Sequence, residues 1–169
     1  MAPDTLNSTA RPFVRWMEQD MSISETTQSN SPEDTLQIAR DLLPRLPACP
    51  VLALHGELGA GKTHFVQGLA AALGIEQPVT SPTYALIQEY AGDPPLTHVD
   101  LYRVQDENEA LMLGLEDLFD DPVGIKAIEW AERVQGLLPS STIHITLRHG
   151  ATPDDRTIEI VWPGDATDR

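Results

Sequence analysis

Gly56-Glu-Leu-Gly-Ala-Gly-Lys-Thr63 narrows the possible folds of this chain more than any other segment. It fits the pattern G-x-x-x-x-G-K-[ST], and its neighbours give that pattern meaning. Val51 to His55 is a short apolar run of the kind that forms a buried strand, and from about Lys62 to Leu73 the chain reads as a helix stopped by Gly74. A glycine turn in that position wraps its backbone N–H groups around an oxyanion, because Gly56, Gly59 and Gly61 can adopt conformations that side chains obstruct. The helix start adds partial positive charge facing the same point. In such a phosphate-binding P-loop, Lys62 is expected to reach the β- and γ-phosphates of a nucleotide and Thr63 to ligate Mg²⁺. ATP or ADP with Mg²⁺ are therefore the expected cofactors, and Glu57, Leu58, Gly59, Ala60 and Gly61 are expected to touch the nucleotide beside Lys62 and Thr63.

The rest of the chain reads as a domain built around this loop. At 169 residues it has the length of one domain with a single sizeable core. Ser31-Pro-Glu-Asp34 is a helix start, with Ser31 as N-cap and Asp34 as the returning acid; Leu36, Ala39, Leu43 and Leu46 follow at helical spacing, and Pro44 and Pro47 end the helix. Tyr84 to Tyr90 and Leu96 to Leu101, separated by Ala-Gly-Asp-Pro-Pro, read as a hairpin. Asp106 to Leu113 is a short helix with a capping box to Glu109, closed by Gly114. Gly124 to Trp130 is another buried strand, and Thr142 to Arg148 with Arg156 to Trp162 form a terminal antiparallel pair. The expected fold is α/β: a three-layer P-loop NTPase domain over residues 31–163, with a mixed sheet carrying antiparallel hairpin additions. Residues 1–30 read as a mostly disordered extension, in which Met17 and Met21 are alternative starts, and residues 164–169 as a flexible tail.

Charge and composition restrict the partners. Twenty-six acidic residues against 11 basic ones give a formal charge of −15, the reverse of what a strong grip on nucleic acid requires. No apolar run reaches the roughly 18 residues that span a bilayer, and the single cysteine, Cys49, has no internal disulfide partner. The expectation is a cytoplasmic protein without membrane contact.

Several segments beyond the loop bear chemistry. Thr80-Ser-Pro-Thr83 places hydroxyls in a loop stiffened by Pro82, suited to a switch that senses a γ-phosphate, although a plain hydroxyl turn before a strand has the same composition. Asp100 ends the second hairpin strand, where a carboxylate can hold Mg²⁺ or its water. Glu129 ends the strand through Ile128 and opens toward the same sheet edge. His98 reads as a sheet residue, and Trp130 as core packing or as an aromatic resting on the substrate site or a partner.

Taken with the P-loop, Thr80-Ser-Pro-Thr-Tyr84, His98-Val-Asp-Leu-Tyr-Arg103, Gly114-Leu-Glu-Asp117 and Ile128-Glu-Trp-Ala-Glu132 give the chain a specific resemblance. In order and spacing it resembles the bacterial TsaE (YjeE) family, the ATPase of tRNA threonylcarbamoyladenosine biosynthesis, over about residues 31 to 148. The resemblance implies Thr63 and Glu129 as Mg²⁺ ligands, with Lys62, Asp100 and Glu129 as the catalytic group. It implies nucleotide contacts at Thr80 and Ser81, and at Ser31 and Thr35 an adenine and ribose cover. It also implies the partner proteins TsaB and TsaD, and an ATPase that is weak alone and stimulated by them. A small-molecule kinase and a nucleotide-sensing interaction module share the same loop, so the P-loop by itself leaves them open.

Overall fold

A computed structural model of the chain describes residues 22–164. Its elements run β1 (Ile23–Ser29), α1 (Pro32–Leu42), β2 (Val51–His55), α2 (Lys62–Ala72), β3 (Ile87–Tyr90), β4 (Leu96–Asp100), α3 (Glu107–Met112), α4 (Leu115–Asp120), β5 (Ile125–Glu129), β6 (Ile143–His149) and β7 (Arg156–Trp162). Short 3₁₀ turns at Leu43–Arg45 and Ala131–Val134 complete the order. One seven-stranded sheet, ordered β1-β7-β6-β2-β5-β4-β3, runs through the middle.

The four central strands β6, β2, β5 and β4 are mutually parallel, and each edge is extended by antiparallel pairing, β3 on β4 at one side and β7 then β1 at the other. Strands buried on both faces are mostly apolar, and β5 (Ile-Lys-Ala-Ile-Glu) is buried at every position. Its Lys126 is tolerated because the buried ammonium donates to the carbonyls of Asp121 and Val123. The alternation along β2 splits the core in two. Leu52 and Leu54 pack with α1 and α2, while Val51 and Ala53 pack with Leu115, Phe119 and Val134 on the opposite face. This is the expected three-layer α/β arrangement.

Local chemistry sets the helix limits. Ser31 Oγ accepts the N–H of Asp34 at 3.1 Å, and the Asp34 carboxylate returns to the N–H of Asn30 at 2.9 Å. Asp106 caps α3 in the same way, and Gly114 ends it at a φ of 77°. After α2, Gly74 turns left-handed at φ 69°, and the Ile75 N–H reaches back to the Ala70 carbonyl at 3.0 Å, closing the helix end. Where α1 crosses α2 there is room only for glycine: a Cβ on Gly68 would stand 2.6 Å from the Leu36 carbonyl oxygen.

Three expectations are corrected. Residues 23–29, placed in a disordered extension, form β1 and pair with β7 along their whole length. That strand is polar and buries only Ser29, so it is held by backbone hydrogen bonds and by the ends of side chains: Glu25 accepts from Arg45 at 2.7 Å and from the Trp162 indole at 3.0 Å. The first hairpin strand begins at Ile87, because Tyr84 to Leu86 form a turn in which the Leu86 N–H bonds the Pro82 carbonyl. Helix α4 and the 3₁₀ turn Ala131–Val134 were not expected as elements. The readings of residues 1–21 and 165–169 lie outside the described residues.

Candidate functional site

The site forms at the carboxyl ends of the parallel strands, where β2 runs into the glycine turn and β4 and β5 end side by side. Asp100 and Glu129 are register partners across β4 and β5. Counting back by four from each, which keeps to the same face of the strand, reaches Leu96 and Ile125, which pack on the α2 side, so both carboxylates face the start of α2. There Lys62 and Thr63 are the first two helical residues.

The glycine turn has the backbone its sequence demands. Gly56, Gly59 and Gly61 have φ of 142°, 78° and 102°. At Gly56 a second reason excludes a side chain, since a Cβ there would lie 2.4 Å from the Leu147 carbonyl oxygen on β6. Lys62 folds back over the turn and donates to the carbonyls of Gly56 at 2.6 Å and Glu57 at 3.0 Å. Its ammonium also stands 3.8 Å above the Trp130 ring. Burial pushes the Lys62 ammonium below the ordinary lysine range, against the opposing pull of Glu129, Glu132 and Asp100. A partly desolvated cation bounded by carbonyls and an indole is poised for an anion that would restore its solvation.

The two acids have different partners. Glu129 Oε1 accepts the Thr63 hydroxyl at 2.8 Å and pairs with His98 Nε2 at 2.8 Å. Asp100 is held by the loop after α2: its Oδ2 accepts from Ser81 and, at 2.9 Å, from Thr83, and its Oδ1 accepts the Tyr102 N–H at 2.9 Å. Glu129 is thus tied to the helix start, whereas Asp100 anchors the hydroxyl-bearing loop. Among the described residues no three His, Cys, Asp or Glu side chains converge as a metal cage. Mg²⁺ does not need one, because it commonly takes only one or two protein oxygens and completes its octahedron with phosphate and water. The Thr63 and Glu129 oxygens, 2.8 Å apart, are close enough to occupy adjacent corners of one such ion.

These groups border an open cavity of about 520 Å³ lined by Leu58, Gly59, Gly61, Lys62, Thr63, Ser81, Asp100 and Glu129. Glu57 contributes its carbonyl to Lys62, and Ala60 is buried in the turn. Thr80 faces a neighbouring groove beside Val79 instead. Ser31 and Thr35 do not line the cavity. The Ser31 hydroxyl caps α1 by accepting the Asp34 N–H, and Thr35 is buried against the Ser29 hydroxyl at 2.7 Å, a contact that joins α1 to β1. The chain near them still reaches α2, because His64 Nε2 lies 2.9 Å from the Pro32 carbonyl oxygen.

The cavity wall also includes His64 and Gln67, which sequence reasoning left out, together with Thr83, Tyr102 and Trp130, which it named outside the expected contact set. Trp130 belongs to the cavity wall, half-buried beneath Lys62 and 5.0 Å from the Tyr102 ring, and it adopts a left-handed φ of 61° that a bulky residue rarely takes. Its position directly after Glu129 was the available signal. His98, read as a sheet residue, is one, yet it also fixes the Glu129 carboxylate from within the sheet.

Similarity to known proteins agrees with this geometry. Residues 29–158 match the family model described as threonylcarbamoyl adenosine biosynthesis protein TsaE. The chain is 40% identical over 136 residues to the tRNA threonylcarbamoyladenosine biosynthesis protein TsaE of Bacillus subtilis, covering 80% of this chain and 84% of that protein. It is 45% identical over 122 residues to the protein of that name from Nostoc, covering 70% and 74%. The fold superposes on a crystal structure of Bacillus subtilis YdiB with a TM-score of 0.73 and 32% identity, covering 86% of this chain and 89% of the other. With a family model spanning most of its length and relatives this similar, the chain belongs to the TsaE family of tRNA threonylcarbamoyladenosine biosynthesis proteins.

Proposed function

We propose that this protein is a Mg²⁺-dependent ATPase that supports threonylcarbamoyl modification of adenosine 37 in tRNA together with the proteins TsaB and TsaD. The observation that carries the reading is the meeting of Lys62, the Thr63–Glu129 pair and the Asp100-anchored loop at the mouth of one glycine turn. The turn's amides and Lys62 would hold the β- and γ-phosphates of ATP. Thr63 and Glu129 would hold Mg²⁺, which supplies neutralisation of phosphate charge when bound. Asp100, fixed by Ser81 and Thr83, would couple the state of the γ-phosphate to that loop and orient the attacking water. Positioning and charge stabilisation supply nearly all the catalysis in such reactions.

Among the described residues no arginine lines the cavity, so one common source of transition-state stabilisation is missing from its wall. Slow turnover by the isolated chain follows from that, and the family resemblance implies that TsaB and TsaD raise it. The net charge of −15 favours a subunit that leaves tRNA contact to its partners in the cytoplasm. ATP hydrolysis measured with and without the two partners tests the reading, and equal rates would count against it.

The bare cavity wall equally favours a nucleotide-sensing module that binds ATP or ADP without useful hydrolysis. Glu129→Ala separates the two: a pure sensor keeps supporting the modification as long as nucleotide affinity survives, whereas a hydrolytic cycle stalls.

A further inference from the structure

We infer that Arg156 is a positioning residue for phosphate binding, acting on the glycine turn from the side opposite the cavity. Arg156 opens β7, 96 positions after Ala60 along the chain. Its Nε donates to the Ala60 carbonyl at 2.9 Å and its Nη2 to the Gly59 carbonyl at 3.1 Å. Its Nη1 donates to the carbonyls of Pro153 and Asp155, each at 2.7 Å. Among the described residues it forms no ion pair with a carboxylate, so its charge is spent on carbonyl dipoles.

The planar trans peptide fixes what this does. In the Ala60–Gly61 peptide the N–H points away from the carbonyl, so an oxygen held by Arg156 leaves the Gly61 N–H directed to the other side of the turn. Gly61 lines the cavity. A cation on a carbonyl polarises the whole amide, making its N–H a stronger donor to an anion. The second contact locks the turn itself, since the Gly59–Ala60 peptide gives its oxygen to Arg156 while its N–H bonds the Glu57 carbonyl at 3.1 Å. One side chain therefore fixes the loop's shape and adds positive potential behind it without occupying ligand space.

This inference rests on the nucleotide reading proposed above, and its test keeps the two apart. ADP binding with Mg²⁺ is measured calorimetrically for the wild type, Arg156→Gln, Arg156→Lys and Arg148→Gln, with thermal melting of each. Arg148 sits on the same hairpin, paired with Glu159 at 2.8 Å, and controls for removing one positive charge. Loss of the charge-assisted contacts should weaken ADP binding by about ten- to a hundredfold in Arg156→Gln. Arg156→Lys, which keeps the charge but not the fork, should recover part of the loss, and Arg148→Gln should match the wild type. In the ADP complex the Gly61 amide proton of Arg156→Lys should move upfield, a change that a merely destabilised hairpin would not produce. Should Arg156→Gln not fold, Arg156→Lys carries the test through both its affinity and its Gly61 resonance. Wild-type affinity in the folded Arg156 variants, or an unmoved Gly61 resonance, overturns the inference alone; no ADP binding by the wild type overturns the nucleotide reading beneath it.

Discussion

Replacing Gly56 by alanine should destabilise this protein, and the structure says by how much. Two effects act at once. Gly56 has φ 142°, where an L-residue is strained by about 1–3 kcal/mol. The new Cβ would also lie 2.4 Å from the Leu147 carbonyl oxygen, so turn and strand must part by roughly 1 Å to reach ordinary contact, the kind of overpacking that costs about 1–3 kcal/mol. Leu147 cannot yield cheaply, because β6 is paired on both sides, to β2 and to β7. Reduced freedom of the unfolded chain returns about 0.4–1 kcal/mol. The net loss is about 3 kcal/mol, which for a domain of this size lowers the melting temperature by roughly 6–12 °C. Gly74→Ala is the matched control: φ is 69° there and nothing lies within 4 Å of the added carbon, so only strain of about 1–2 kcal/mol remains. Thermal unfolding followed by circular dichroism compares the two directly. Equal shifts for Gly56→Ala and Gly74→Ala would refute the close approach of turn and β6, and a Gly56→Ala protein as stable as the wild type would refute both terms.

Gly68→Ala should destabilise despite alanine's better helix propensity, because the gain of about 1 kcal/mol is outweighed by about 1–3 kcal/mol of overpacking where α1 crosses α2; urea unfolding reads the sign, and a stabilised variant contradicts the packing. Glu129→Gln keeps the hydrogen bond to Thr63 but removes the anion, so it should bind ADP in the absence of Mg²⁺ at least as well as the wild type while losing the enhancement that Mg²⁺ gives, and calorimetry at varied Mg²⁺ shows which holds. For pH, burial and then the neighbouring His55 push the His144 imidazolium below the ordinary histidine range. The unfolded chain therefore binds this proton more readily than the folded one, so His144 leaves stability intact above about pH 6.5 and removes it as pH falls toward the depressed value. Urea titrations across that window should show a shallower decline for His144→Asn, and an unchanged slope would contradict the assignment.

What could be read from the residues alone follows from how local the governing physics is. The glycine turn was legible because its backbone conformation depends on glycines within a few positions of one another. Asp100 and Glu129 were legible because each ends an apolar strand, and parallel strands bring their ends to one edge. Strand β1 was hidden, because an edge strand held by backbone hydrogen bonds to β7 needs no apolar alternation. The cap of α1 was identified correctly at Ser31, yet where the capped helix lies relative to the cavity depends on how α1 packs on α2, and the contact of Thr35 with Ser29 leaves no trace in helical spacing because Ser29 belongs to the unrecognised β1. The turn that places Trp130 in the cavity wall and the contact of Arg156 with the loop were beyond reach for a related reason. The first is a left-handed conformation that tryptophan seldom adopts, and the second forms only after the whole sheet has been laid down.

The central claim is that the turn from Gly56 to Thr63 encloses the phosphates of an adenine nucleotide, with Lys62 offsetting their charge. Isothermal titration of the folded protein with ADP and Mg²⁺, repeated with Lys62→Ala, tests it most directly. The account predicts a saturable one-to-one association that Lys62→Ala weakens by at least about a hundredfold while its melting temperature without nucleotide stays close to that of the wild type. No heat of association in the wild type, or an undiminished affinity in Lys62→Ala, would contradict it.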